Sequence, residues 1–133
     1  MGYRATNRFH SSMAAGAHGQ KIAEVIVNKG GCQALLLPII STFSQYSSRW
    51  LTWITGTVPA KEQLLAYGVN LNTLRVIYIN RQQDSRWLTW EALVQGNSHT
   101  VIAELGNLTI QDINAMEKAA MQGNTQGIII RQR

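Results

Sequence analysis

The 133-residue chain has few charged residues, few cysteines and few prolines, and it has no long apolar stretch. Its single cysteine, Cys32, cannot form an intramolecular disulfide, and it has no neighbouring ligand residues that would indicate a metal site. The longest strongly apolar run, Ala34 to Ile40, is far shorter than the roughly 20 residues that span a bilayer. Residues 1–19 lack the apolar segment of a signal peptide. We therefore expect a cytoplasmic protein without a membrane association.

The chain nevertheless contains enough apolar material for one domain. Hydrophobic residues make up 45%, and this length suits a single core. Only 14% of the residues are charged, with 12 Lys and Arg against 7 Asp and Glu, which gives a net charge of +5. Residues 1–20 are rich in Ser, Ala, Gly, His and Arg without an apolar period, so we predict a flexible arm there and an α/β domain over 21–133.

Beyond the arm, short β-branched runs alternate with segments of helical periodicity. This order predicts an α/β fold with a mainly parallel sheet of about five strands and helices on both faces. Pro38 lies inside the first helical segment, which is acceptable if that helix begins near Gln33 or Leu35. The predicted strands are 22–27, 50–55, 74–79, 99–104 and 127–131; the predicted helices are 33–46, 60–67, 84–95 and 109–122.

The hexapeptide SRWLTW occurs twice, at 48–53 and at 85–90. The residues flanking the two copies do not resemble each other at the interval that separates the copies, so the copies do not indicate a repeat protein. The first copy runs into Ile54 and a turn, whereas the second runs into a segment with apolar residues at helical spacing. We therefore predict a strand for the first copy and a helix for the second.

The sequence lacks the motifs of nucleotide-binding proteins, serine hydrolases and metal-binding helices. The segment after the first predicted strand, Asn28 to Gln33, lacks the spacing and the Lys-Ser/Thr ending of a phosphate loop. No serine lies in a G-x-S-x-G elbow, and none of the three histidines has a metal-binding partner at i+4. The acids are scattered, and only Glu104 ends a strand where a ligand group could lie. We expect no enzyme activity, no cofactor and no metal.

Tryptophan and arginine form the more informative set, because both are enriched at interface hot spots. Arg49 lies beside Trp50 and Trp53, and the second copy repeats this arrangement. We expect at least two of the four tryptophans to pack in the core. The same residue types and the net charge of +5 also suit single-stranded nucleic acid, although no cluster of five or more basic residues is present.

Several ordered blocks resemble the SulA family, the cell-division inhibitors of the bacterial SOS response. They are LLLPII at 35–40, SRWLTWIT at 48–55, QGNS at 95–98, EKAAMQGN at 117–124 and GIIIR at 127–131. The resemblance implies a RecA-like core that lacks the phosphate loop. It also implies binding to FtsZ, the tubulin-like GTPase of the division ring, on the face that completes GTP hydrolysis in the neighbouring subunit. A nucleic-acid-binding module on the same scaffold is the alternative.

The resemblance also suggests where FtsZ would bind. Arg49, Ile54 and Thr55 match the family block directly, and we expect the two ends of this block to be accessible while Trp50 to Trp53 are enclosed by helices. The family usually has an aromatic residue near Gln63 and a lysine near Thr73; here Tyr67 and Arg75 could compensate. A homodimer is a further possible assembly. The chain ends at Arg133 without the His-containing tail that enterobacterial members use for the Lon protease, so we do not expect turnover through such a tail. The predicted FtsZ-binding set is Arg49, Ile54, Thr55, Gln63, Tyr67, Thr73 and Arg75.

Overall fold

The fold is known from a computed structural model, which describes residues 21–28, 32–57, 59–80 and 84–132. Within these ranges, five strands alternate with four helices. In order they are β1 (Ile22–Val27), α1 (Cys32–Ser44), β2 (Trp50–Thr55), α2 (Lys61–Ala66), β3 (Leu74–Tyr78), α3 (Ser85–Gln95), β4 (Ser98–Glu104), α4 (Ile110–Gly123) and β5 (Gln126–Gln132). The predicted arm, residues 1–20, lies outside the described residues.

The strands form one sheet in the order β1-β5-β4-β2-β3, and all four neighbouring pairs are parallel. The prediction of an α/β domain with a parallel sheet is confirmed. Because a helix after each of the first four strands returns the chain to the start of another parallel strand, strand starts and helix ends share one edge of the sheet, and strand ends share the other. β2, β4 and β5 are internal strands, which explains their continuous apolar character.

Each face of the sheet packs against its own pair of helices, as predicted. On one face α1 and α2 cover a cluster built around Trp53, Leu36 and Ile40. On the other face α3 and α4 cover a cluster built around Leu93, Met116 and Ile129. Neighbouring residues of one strand point to opposite faces, so Trp53 joins the first cluster and Ile54 joins the second.

Local sequence signals fix the helix ends. The Asp84 side chain accepts hydrogen bonds from the first amides of α3, and Thr109 forms a capping box with Asp112 at the start of α4. The hydrogen bond from the Thr109 amide lowers the pKa of the Asp112 carboxyl. α3 ends at Gly96 with φ at +75°, a conformation that glycine adopts without strain. All three ends lie within one residue of the predicted bounds, 84–95 and 109–122.

The first helix begins next to Gln33, as predicted, but the first-turn explanation for Pro38 does not hold. α1 begins at Cys32, so Pro38 is its seventh residue and lies beyond the first turn. Proline there cannot donate to the Ala34 carbonyl. Both residues are exposed, so water can reach this carbonyl, and the buried side of α1 through Leu36, Leu37 and Ile40 is intact.

Within the described residues, no helix is long and apolar enough to cross a membrane.

Candidate partner-binding surface

One edge of the sheet presents exposed aromatic rings together with two arginines. The starts of β2, β3 and β4 meet the ends of α1 and α2 there, because parallel strands that return through helices place all their starts at one edge. We call this the strand-start surface and define it by the side chains of Tyr46, Arg49, Trp50, Tyr67, Arg75 and His99. A hydrogen bond from the Gln45 side chain to the Gly68 carbonyl (2.9 Å) joins the ends of α1 and α2 within it.

Arg49 connects this surface to the ends of α3 and α4. Its guanidinium donates to the carbonyls of Gly96 (3.0 Å), Gly123 (3.3 Å) and Asn124 (2.7 Å). Helix-terminal carbonyls carry the negative end of the helix dipole and need donors, so a half-buried cation there is stabilising. Arg49 therefore holds the ends of two helices against the start of β2.

Arg75 lies near the start of β3, where its register partner on the neighbouring β2 is Thr52. Its Nη2 atom donates to the side-chain oxygens of Asn97 (3.1 Å) and Ser98 (3.4 Å). Its Nε atom is buried and has no hydrogen-bond partner among the described residues. Over the same residues, neither Arg49 nor Arg75 forms an ion pair, whereas Arg86 and Arg131 do. The strand-start surface therefore carries positive charge that its own carboxylates do not balance.

His99 adds a titratable group beside Arg49. Its ring packs edge-on against Tyr46, with 5.6 Å between centroids, and its Nδ1 atom lies 2.9 Å from the Thr100 hydroxyl. Burial lowers the pKa of His99, and the Arg49 guanidinium lowers it further, against an opposing hydrogen bond with the Tyr46 backbone. The imidazole is consequently held neutral near pH 7.

Exposed aromatic rings complete the surface. Tyr46 is 53% exposed, and Trp50 and Tyr67 are each 42% exposed. Large aromatics left in solvent beside arginines are typical of binding anchors. Tyr46 was not among the predicted site residues; its position just after α1 was the available signal, because a helix end in such a fold returns to the strand starts.

The predicted site residues separate into two groups. Arg49, Tyr67 and Arg75 come together on the strand-start surface. Thr73 lies at the same edge, where its hydroxyl donates to the Ser44 carbonyl (2.5 Å) and anchors the loop before β3. Gln63 is exposed on α2.

Ile54 and Thr55 lie at the opposite end of β2. Their expected accessibility is wrong: Ile54 is 0% exposed and Thr55 is 1% exposed. The physical reason is that both sides of β2 are paired with other strands, Ile54 packs in the cluster under α3 and α4, and the Thr55 hydroxyl donates to the Thr57 carbonyl (3.0 Å). Neither residue can be a direct contact of the folded protein with a partner.

The tryptophans also differ from expectation. Only Trp53 is buried, at 1% exposure, while Trp50, Trp87 and Trp90 are 42%, 56% and 38% exposed. The prediction that at least two would be in the core is wrong. The segment Trp50 to Trp53, expected to be enclosed by helices, is buried only from Leu51 onward. Trp50 is exposed to solvent because it is the first residue of its strand.

Glu104, at the end of β4, accepts a hydrogen bond from the Trp53 indole (3.1 Å). This contact gives the carboxylate a structural role at the strand-end edge. Within the part of the chain that the structure describes, no three His, Cys, Asp or Glu residues are grouped to hold a metal ion.

Known proteins are similar to this chain in sequence and in fold. The family model "Cell division inhibitor SulA" matches residues 21–127. The cell division inhibitor SulA of Pseudomonas aeruginosa is 32% identical over 104 residues, which are 77% of this chain and 65% of that protein. That of Serratia proteamaculans is 29% identical over 114 residues, 83% of this chain and 67% of that protein. The chain thus spans about two thirds of the length of these relatives.

A solved structure also shares the fold. The crystal structure of SulA from Pseudomonas aeruginosa superposes with a TM-score of 0.75 at 29% sequence identity, covering 85% of this chain and 98% of that chain. The family match begins at the root of β1 and ends in β5, so it includes the entire strand-start surface. The chain belongs to the SulA family of cell division inhibitors.

Proposed function

We propose that this protein inhibits bacterial cell division by binding FtsZ through the strand-start surface. One observation carries the proposal: a single edge presents three exposed aromatic rings beside two arginines that pair with no carboxylate of the described chain. Aromatic anchors and unpaired guanidinium groups together suit a partner with an apolar and acidic face.

The proposed mechanism is steric. Bound to the FtsZ face that completes GTP hydrolysis in the next subunit, the inhibitor would block subunit addition and lower GTPase activity indirectly. It needs no chemistry of its own, and we propose that it acts as a binding protein rather than an enzyme. The SOS response to DNA damage is the proposed setting, by resemblance to the SulA family.

Within this surface, we assign different tasks to the two arginines. Arg49 uses three of its N–H groups on backbone carbonyls and so supports the surface from behind. Among the described residues, Arg75 is bound only to neutral amide and hydroxyl oxygens, which a partner carboxylate could replace with a stronger, charge-assisted bond. Trp50 and Tyr46 supply the apolar contact.

Sedimentation of FtsZ polymers in the presence of GTP tests the proposal. We expect the pelleted FtsZ to fall roughly in proportion to added protein. Trp50→Ala and Arg75→Gln should each weaken inhibition at least tenfold, about 1.4 kcal/mol. Trp87→Ala is the matched control, because Trp87 is also an exposed tryptophan, at 56% against 42% for Trp50, but lies on α3.

Two outcomes would reject the proposal. Unchanged polymer and unchanged GTPase activity at several-fold excess of inhibitor would remove the function itself. Full inhibition by Trp50→Ala together with loss in Trp87→Ala would instead move the binding surface to α3. Tight binding of single-stranded DNA at physiological salt would favour the nucleic-acid alternative, since a small positive excess alone gives only weak, salt-sensitive binding.

A further inference from the structure

A second exposed aromatic site lies on the outer side of α3 and α4, away from the strand-start surface. A cavity of about 270 Å³ opens between the N-terminal halves of these helices. Trp87, Trp90 and Met116 supply its apolar lining, and Asp84, Arg86 and Asp112 also line it. We call it the α3/α4 groove.

The groove leaves costly apolar surface in water. Trp87 is 56% exposed and Trp90 is 38% exposed, three residues apart on the same face of α3. Arg86 lies 3.5 Å from each of Asp84 and Asp112, so its charge is shared between two carboxylates and the groove is net negative. Solvent-exposed tryptophan faces next to carboxylates are suited to a cationic and aromatic ligand.

The whole α3/α4 layer has the opposite charge to the rest of the chain. With the capping Asp84 it carries four carboxylates (Asp84, Glu91, Asp112 and Glu117) against two cations, Arg86 and Lys118, a net charge of −2. The chain as a whole carries +5. The positive excess must therefore lie elsewhere, and part of it is in residues 1–20, which contain Arg4 and Arg8 and no acidic residue.

The two residues that follow residues 1–20 are held against α4. The Glu117 carboxylate accepts hydrogen bonds from the backbone amides of both Lys21 and Ile22, the latter at 3.2 Å. Asp112, in the groove, lies five residues before Glu117 on the same helix, about 7.5 Å along the axis. The arm therefore joins the domain beside the helix that forms one wall of the groove.

We propose that residues 3–10 of the arm, YRATNRFH, occupy the α3/α4 groove of the same molecule. Arg4 and Arg8 would face the carboxylates and the tryptophan rings, and Tyr3 and Phe9 would cover apolar surface. The ten residues between His10 and Lys21 extend up to about 33 Å, enough to cross α4, whose diameter is about 10–12 Å. The groove lies toward the strand-end edge, so this contact leaves the strand-start surface free.

The indole N–H signals of the four tryptophans in a ¹⁵N-labelled full-length chain test the proposal. Each signal is assigned with a Trp→Phe variant. The double variant Arg4→Glu/Arg8→Glu removes the charge complementarity, and Lys61→Glu, at an exposed cation on α2, is the control for a charge reversal elsewhere on the chain. We expect the Trp87 and Trp90 signals to shift by more than a line width in the double variant only, while the buried Trp53 signal stays in place. Added salt should shift the two signals in the same direction.

Each remaining outcome overturns the proposal. Unmoved Trp87 and Trp90 signals in the double variant would show that the arm does not occupy the groove. A shift confined to Trp50 would place the arm on the strand-start surface. A shift that depends on protein concentration would identify a second copy as the occupant. The double variant changes nothing on the strand-start surface, so FtsZ sedimentation distinguishes failure of this proposal from failure of the proposed function.

Discussion

The two copies of SRWLTW share six residues but differ in secondary structure and in the contacts of the arginine, the threonine and the last tryptophan. In 48–53 the segment enters β2, the fourth strand in the sheet order, and in 85–90 it opens α3. The last tryptophan is 1% exposed in the first copy and 38% in the second. The arginine of the first copy binds three carbonyls, and that of the second binds two carboxylates.

The threonine of the motif shows how context produces the difference. Thr52 is buried in the sheet, and its hydroxyl lies 2.6 Å from the Ser98 hydroxyl on β4. Thr89 is also buried, but its hydroxyl donates to the Ser85 carbonyl four residues earlier in its own helix (2.7 Å). The first bond requires a neighbouring strand, and the second requires only a helix. An identical sequence therefore forms whichever structure its neighbours can satisfy.

The largest expected difference between the copies is at their last tryptophan. Trp53→Ala should destabilise the fold by about 3–5 kcal/mol, because it removes a fully buried ring and leaves a cavity between α1 and the sheet. It also leaves Glu104 without the indole donor. Trp90→Ala should cost about 1 kcal/mol, since that ring is partly in water. Urea unfolding monitored by circular dichroism measures both.

This comparison has a clear contrary result. Equal losses for Trp53→Ala and Trp90→Ala would mean that the ring on α3 is as well covered as the ring in β2. Trp50→Ala, at the first residue of β2, is a third variant for this comparison. We expect it to lower the free energy of unfolding far less than Trp53→Ala does, because Trp50 is 42% exposed.

The arginines should differ by a smaller amount. Arg49→Ala should cost about 2–3 kcal/mol, because three charge-assisted hydrogen bonds to the ends of α3 and α4 are lost. Arg86→Ala removes two exposed ion pairs at 3.5 Å and should cost no more than about 1 kcal/mol. Urea unfolding of both variants gives the difference, and Arg49→Lys, which cannot reach three carbonyls with a planar group, should recover only part of it.

The stability of Arg49→Ala also tests whether Arg49 would contact FtsZ directly. If Arg49→Ala kept full stability but lost FtsZ inhibition, Arg49 would be a direct contact and not the support that its hydrogen bonds indicate. A parallel loss of stability and inhibition is the expected result.

The smallest effect concerns pH and only the first copy, since His99 lies beside Arg49. Its pKa is lowered in the folded state, so below about pH 6.5 the unfolded chain binds more protons than the folded one. The free energy of unfolding should therefore be level above this pH and fall as the pH is lowered through the window below it. His99→Gln should flatten this slope. His10 and His18 are present in both proteins and cancel in the comparison. A slope that is unchanged in His99→Gln would contradict the prediction.

Much of the fold could be predicted because its signals are local. The alternation of short β-branched runs with capped amphipathic segments determined the number, order and type of elements, and residues such as Asp84, Thr109 and Gly96 marked helix ends within a residue or two. Even the two SRWLTW copies were distinguishable, because the periodicity of their flanking residues differs. These features depend on hydrogen bonds and apolar spacing within about ten residues of chain.

Strand order and burial could not be predicted in the same way. Whether Ile54 and Trp50 are covered depends on β2 lying between β3 and β4 and on which end of it is open, and both are set by contacts between residues far apart in sequence. The bonds from Arg49 to Gly123 and Asn124 span 74 and 75 residues. The sequence by itself determined which elements form and the family to which they are similar; only the tertiary structure decided which side chains face a partner, because exposure depends on what the rest of the chain packs against.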